Sequence, residues 1–108
     1  MSQLAITAIT DADVDAVIAL WQRCGLTRPW NDPAGDIAFA RRGDNATILV
    51  GRVDGTIVAS AMVGHDGHRG WVYYVAVDPT RQRQDFGRAI MAAAEDWLRG
   101  FLEVESSA

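Results

Sequence analysis

No apolar run in the 108 residues approaches the roughly 18 needed to cross a bilayer, so no membrane role is expected. Cysteine occurs once, at Cys24, which excludes an internal disulfide and fits a reducing cytoplasm. The opening Met1-Ser2-Gln3 has no cationic stretch leading into an apolar one, so no secretory signal is expected. Fourteen acidic side chains against ten basic ones give a net charge of −4, which argues against broad nucleic-acid binding. A Walker loop, a dinucleotide GxGxxG and a Ser/His/Asp pattern are all missing, so phosphoryl and hydride transfer have no support. His65 and His68 flank a tight turn without a nearby third ligand, and an exposed turn rather than a zinc site is the reading. Repeats, linkers and low-complexity segments are also missing, and the length fits a single domain over 1–108.

What is present centres on Trp71 to Leu98. Trp71-Val72-Tyr73-Tyr74-Val75-Ala76-Val77 is uncharged, β-branched and aromatic, a composition that suits a strand buried on both faces. Asp78-Pro79 stops it, because proline has no N–H for a sheet ladder. A polar loop follows, Thr80 to Asp85. From Phe86 the apolar period becomes helical, through Ile90, Ala93, Ala94, Trp97 and Phe101. Arg81, Arg83 and Arg88 form a basic cluster on an acidic protein. Free N–H groups and arginines at a helix start stabilise an anion, and a small anionic ligand suits this cluster better than a polyanion.

The remaining elements lie ahead of this unit. Leu4 to Ile9 alternates weakly and reads as a strand. Thr10 caps a helix whose stripe is Val14, Val17, Ile18 and Trp21, with Gly25 as its C-cap. Asp32-Pro33 opens a second helix, with Ile37, Phe39 and Ala40 on its apolar side and Arg41, Arg42 and Gly43 at its end. Ala46–Val53 and Thr56–Val63 are strands joined at Asp54-Gly55, a hairpin signal, and Arg69–Val77 completes an antiparallel meander. The tail from Glu103 is polar and expected to fray.

Val75-Ala76-Val77-Asp78-Pro79 followed by Gln82-Arg83-Gln84-Asp85-Phe86-Gly87-Arg88 resembles the acetyl-CoA motif of the GNAT N-acetyltransferase superfamily, Gln/Arg-x-x-Gly-x-Gly/Ala. Gln82 and Gly87 match its ends, and Asp85 stands where its first glycine belongs. Leu26 to Pro33 and the turn Asp66 to Gly70 are similar to a bacterial subgroup near the ribosomal-protein alanine acetyltransferases. The resemblance runs from Leu4 to about Gly100. It implies an α+β fold of the acyl-CoA N-acyltransferase type: strand, two helices, three strands, helix, with the sheet mostly antiparallel. The family's later strands and fourth helix have no counterpart before Ala108, and neither Tyr73 nor Tyr74 matches its general-acid tyrosine.

The resemblance further implies acetyl transfer from acetyl-CoA to a primary amine, without a metal. Val75 N–H would take the acetyl oxygen and Val77 the pantetheine arm, with Ala76 among the coenzyme-binding residues. Gln82, Arg83, Gln84, Asp85, Phe86, Gly87 and Arg88 would cradle the diphosphate. Arg28, Trp30 and Asn31 would line the acceptor side. No catalytic base is assigned; Asp66, His65 and Asp32 are the candidates. Two bland readings stand beside these. Asp85 as an N-cap would occupy the N–H groups a phosphate needs. The alternative to the enzyme is a non-catalytic coenzyme-binding or dimeric interaction module. An open sheet edge with an apolar flank leads us to expect a homodimer or a domain-swapped oligomer.

Overall fold

The computed structural model describes residues 4–27, 32–43, 45–67, 69–81 and 84–106, with side chains described up to Gly100. Among the described residues, four strands and three helices follow one another as β1 (Ala5–Ala8), α1 (Val14–Arg23), α2 (Pro33–Ala40), β2 (Ala46–Val53), β3 (Thr56–His65), β4 (Gly70–Val77) and α3 (Phe86–Ser106). The strands form one antiparallel sheet in the order β1-β2-β3-β4. This is the element order expected from the sequence.

Strand periodicity divides the core between the two faces of the sheet. Ile48 and Val50 of β2 point to the side covered by α1 and α2, where Trp21, Leu20, Val17 and Ile37 are buried. Leu49 and Val53, with Ala59, Ala61 and Val63 of β3, point to the side covered by Phe86, Ile90 and Ala94 of α3. Central strands with helices on both faces bury both of their own faces, which is why β2 and β3 read as nearly continuous apolar runs. The β2–β3 turn uses Asp54 and Gly55 at φ 51 and 85, the doubly left-handed pair that an Asp-Gly hairpin supplies.

Helix ends follow local chemistry. The backbone N–H and hydroxyl of Thr10 both donate to Asp13 Oδ2, at 2.9 and 3.0 Å, opening a single 3-10 turn ahead of α1. α1 closes at Gly25 (φ 71), whose N–H reaches Gln22 O while Leu26 N–H reaches Trp21 O. These are the paired bonds of a Schellman ending. Asp32 Oδ1 accepts from Gly35 N–H at 3.1 Å, with Pro33 at the first helical position of α2.

Five expectations are corrected. Phe39 is 73% exposed, because α2 turns only Ile37 and Ala40 to the core. Among the described residues β4 lies at the sheet's edge, so Tyr73 and Val75 are exposed rather than buried on both faces. β3 runs on to His65, and that residue is buried rather than in an exposed turn. Asn45 ties it down, accepting from His65 N–H and donating to His65 O. Its Nδ1 accepts from Gly67 N–H, and its ring lies 5.9 Å from that of Trp97. α3 continues to Ser106, through the tail expected to fray, since Glu103 to Ser106 hold no helix breaker. Asp85, finally, is not the N-cap that the bland reading required, for reasons given below.

Candidate functional site at the end of β4

β4 is irregular where the sequence looks most regular. Met62 pairs with Tyr73 and Ser60 with Ala76, so Ala61 alone opposes both Tyr74 and Val75. Two residues against one is a β-bulge, which bends a strand and takes backbone groups out of the ladder. Tyr74 sits at φ 54 in this bulge, a left-handed conformation that a tyrosine seldom adopts. Three neighbours hold it. Its ring stacks on Trp21, with centroids 4.1 Å apart and planes 10° from parallel. Its hydroxyl donates to Asp36 Oδ2 at 2.7 Å. Its carbonyl accepts from the Ser60 hydroxyl at 3.4 Å, and Ser60 Oγ itself accepts from Trp21 Nε1–H at 2.8 Å. Asp36, the stronger influence, and burial both raise the Tyr74 phenol above the ordinary tyrosine range. Beside the bulge lies an open groove of about 320 Å³ lined by Leu26, Tyr73, Tyr74 and Val75.

Beyond the bulge, the strand's exit is fixed from both sides. Asp78 N–H donates to Val58 O at 2.8 Å, which carries the register of Ser60–Ala76 and Ala59–Val77 one residue further. The Asp78 carboxylate accepts from Thr80 N–H, the Thr80 hydroxyl and Arg23, which starts a 3-10 turn over Pro79–Arg81. These donors, Thr80 foremost, hold the Asp78 carboxyl below the ordinary range against the opposing effect of burial. The Cys24 thiol donates to Val77 O at 3.2 Å. Burial chiefly, and the charge of Asp78, push the thiol upward, as befits a half-buried structural cysteine rather than a nucleophile.

The start of α3 is glycine-like without a glycine. Asp85 stands at φ 61 and its carbonyl accepts from Ala89 N–H. A capping side chain works from an extended backbone, whereas this one is left-handed. Its carboxylate has no hydrogen-bond partner among the described residues, so it does not consume the first N–H groups of the helix. Gly87 faces the end of β4, and a Cβ there would meet Val77 Cγ2 at 3.6 Å, an ordinary contact.

The sequence-predicted residues therefore divide. Val75 is exposed at the bulge, Ala76 is buried beneath it, and Val77 packs toward α3. Gln84, Asp85 and Arg88 are exposed at the helix start, while the Phe86 side chain belongs to the core and leaves only its backbone for a ligand. Gln82, Arg83, Arg28, Trp30 and Asn31 lie outside the described residues. Of the candidate bases, Asp32 is engaged as a cap. His65 and Asp66 lie at the β3–β4 turn, some four or more strand residues from the bulge, roughly 15 Å away at the rise of a strand. Tyr74, Trp21, Ser60 and Asp36 carry the geometry of the bulge without having been singled out for it. Only the repeated aromatic at 73–74 hinted that this strand is unusual. A second hollow, about 440 Å³, lies between α1 and the β2–β3 turn; its charged walls are already paired, Asp13 with Arg52 and Arg23 with Asp78.

Comparison with known proteins gives the geometry a context. The model of a family described as "Acetyltransferase (GNAT) family" matches residues 14–107. A Yersinia pestis (strain Pestoides F) protein named acetyltransferase is 46% identical over 86 residues, covering 80% of this chain and 61% of the relative. An acetyltransferase of Yersinia enterocolitica is 41% identical over 95 residues, covering 88% and 67%. The Escherichia coli ribosomal-protein-S18-alanine N-acetyltransferase superposes with a TM-score of 0.76 at 24% identity, over 91% of this chain and 61% of that one. An aminoglycoside N-acetyltransferase in complex with CoA superposes with a TM-score of 0.77 at 14% identity, over 93% and 72%. At such identities the superpositions speak for the fold alone. The chain spans about three-fifths of the Y. pestis relative.

Proposed function

The chain belongs to the GNAT acetyltransferase family, and from that premise we propose that it is an N-acetyltransferase moving an acetyl group from acetyl-CoA to a primary amine. The observation that carries this reading is the pairing of two left-handed residues, Tyr74 in the β4 bulge and Asp85 before α3, on either side of one strand exit. The first takes Val75 out of the ladder beside an open groove. The second lets the chain enter α3 with its first N–H groups uncapped.

Each part has a task in this reading. The N–H groups at Phe86, Gly87 and Arg88 meet the coenzyme's diphosphate at the positive end of α3, a long helix, with Arg88 adding charge. Gln82, Arg83 and Gln84 complete the cradle. Ala76 and Val77 offer backbone groups to the pantetheine amides. Val75 N–H faces the thioester oxygen, which gains negative charge as the amine attacks. In the chemical step the amine nitrogen bonds to the acetyl carbon, the carbon–sulfur bond breaks, coenzyme A leaves as its thiol form, and the amine loses one proton. Holding amine and thioester together supplies much of the acceleration. Arg28, Trp30 and Asn31 are assigned to the acceptor.

Release of free thiol from acetyl-CoA in the presence of a panel of primary amines, read with a thiol reagent, tests the reading. Amine-dependent release supports it. No release, together with no thermal shift on adding acetyl-CoA, overturns it in favour of a second reading, a non-catalytic module. That alternative draws on the Asp85 carboxylate, which sets a negative charge where a diphosphate would sit. We further propose that the chain self-associates through β4, whose outer edge carries no paired strand among the described residues.

A further inference from the structure

We infer that Tyr74 is the positioning residue of this site, a latch whose stacking on Trp21 and hydrogen bond to Asp36 keep the β4 bulge in its left-handed form and so aim the Val75 N–H. The inference rests on the reading of β4 as the acyl-binding strand, but the latch itself is argued from contacts alone. An L-residue at φ 54 stays there only where its surroundings over-determine it. The surroundings here come from three separate elements. α1 supplies Trp21, fully buried, whose indole lies flat against the phenol ring. α2 supplies Asp36, which accepts the phenol proton at 2.7 Å. β3 supplies Ser60, fully buried, which is fixed by Trp21 Nε1–H and reaches the Tyr74 carbonyl. Ring, hydroxyl and carbonyl are thus each tied to a different element.

The chemistry of the latch is selective. Glycine adopts the same backbone without help, so a glycine at this position would need none of these contacts. Alanine lacks that freedom and loses the ties of ring and hydroxyl, keeping only the Ser60 bond to its carbonyl. Phenylalanine keeps the stack and loses only the bond to Asp36. Asp36 therefore acts on the acyl side of the site through Tyr74, which links α2, next to the proposed acceptor loop, to the strand that would hold the thioester.

The test compares Y74F, Y74A, Y74G and D36A with the unaltered protein by two measurements. The first is the set of three-bond couplings about φ at residue 74 (HN–Hα, HN–C′ and C′–C′) in isotope-labelled protein without ligand, which together fix φ and its sign. The second is the ratio of acetyl-CoA to CoA affinity by calorimetry, which isolates the bond to the acetyl oxygen. The latch predicts a left-handed coupling in the unaltered protein and in Y74G, and its loss in Y74A. The affinity ratio should fall roughly tenfold in Y74A, the worth of one hydrogen bond, and be restored in Y74G. Y74F and D36A should show equal, smaller losses, and the double variant no more than either alone. A left-handed coupling that survives in Y74A, or a Y74G as impaired as Y74A, overturns the inference. If neither coenzyme form binds the unaltered protein, the transferase reading fails and the couplings alone decide the latch.

Discussion

At the scale of single residues, Asp85 is the position where the family motif and this chain disagree, and the backbone sides with the motif. At φ 61 a glycine rests without strain, whereas a residue with a Cβ carries a cost of about 1 kcal/mol. Asp85→Gly should therefore leave the melting temperature unchanged or raise it by a few degrees, and should tighten acetyl-CoA binding by removing a negative charge from the helix start. Calorimetry on the variant checks both; weaker or unchanged binding contradicts the assignment of the loop. A second residue governs acid stability. Asp13 is buried, and the Arg52 guanidinium chiefly, with Thr10, holds its carboxyl below the ordinary range against the effect of burial. A carboxyl with a depressed folded-state pKa adds stability that is fully present above its unfolded value, about 3.9, and is lost as pH falls through the folded value. Chemical denaturation from pH 6 down to pH 2 should show this loss in the unaltered protein and a flatter acid limb in Asp13→Asn.

At the scale of elements, β3 and β4 meet through a glycine that no sequence pattern flags. A Cβ at Gly64 would lie 2.2 Å from Trp71 Cζ2, because the indole crosses directly over the neighbouring strand. Gly64→Ala should destabilise by about 1–3 kcal/mol through overpacking, measured as a shift in the denaturation midpoint at constant slope. The elements themselves were legible because their signals are local. Asp32-Pro33 caps α2, Asp54-Gly55 turns the hairpin, and the 3.6-residue stripe places Trp21 and Ile90 inward. The bulge was not legible. Left-handed backbone is normally announced by glycine or asparagine, and here it falls on Tyr74, held by residues 53, 38 and 14 positions away. The same reason hid the burial of His65, which is tied to Asn45 in the connection between α2 and β2. The family resemblance pointed to Val75 and the start of α3 as the proposed site; long-range contacts determine their shape.

At the scale of the molecule, an exposed edge and an exposed aromatic lie together. β4 is the outermost described strand, and Tyr73 and Val75 are exposed on it, with the ring of Tyr73 against that of Trp71 at 5.4 Å. Such an edge pairs readily with another chain. Sedimentation at micromolar concentration should show a dimer, and a lysine at Tyr73 should shift it toward monomer by placing charge on the edge; a strictly monomeric particle removes the proposed self-association. The whole-molecule claim is that one strand exit joins an acyl-binding bulge to an anion-binding helix start. A crystal structure grown with excess acetyl-CoA tests it most directly. The account predicts the diphosphate against the backbone N–H groups of Phe86 to Arg88 and the acetyl oxygen within hydrogen-bond reach of Val75 N–H. Coenzyme seated instead in the hollow beside Asp13 and Arg52, or a Val75 N–H turned away from a bound thioester, would contradict it.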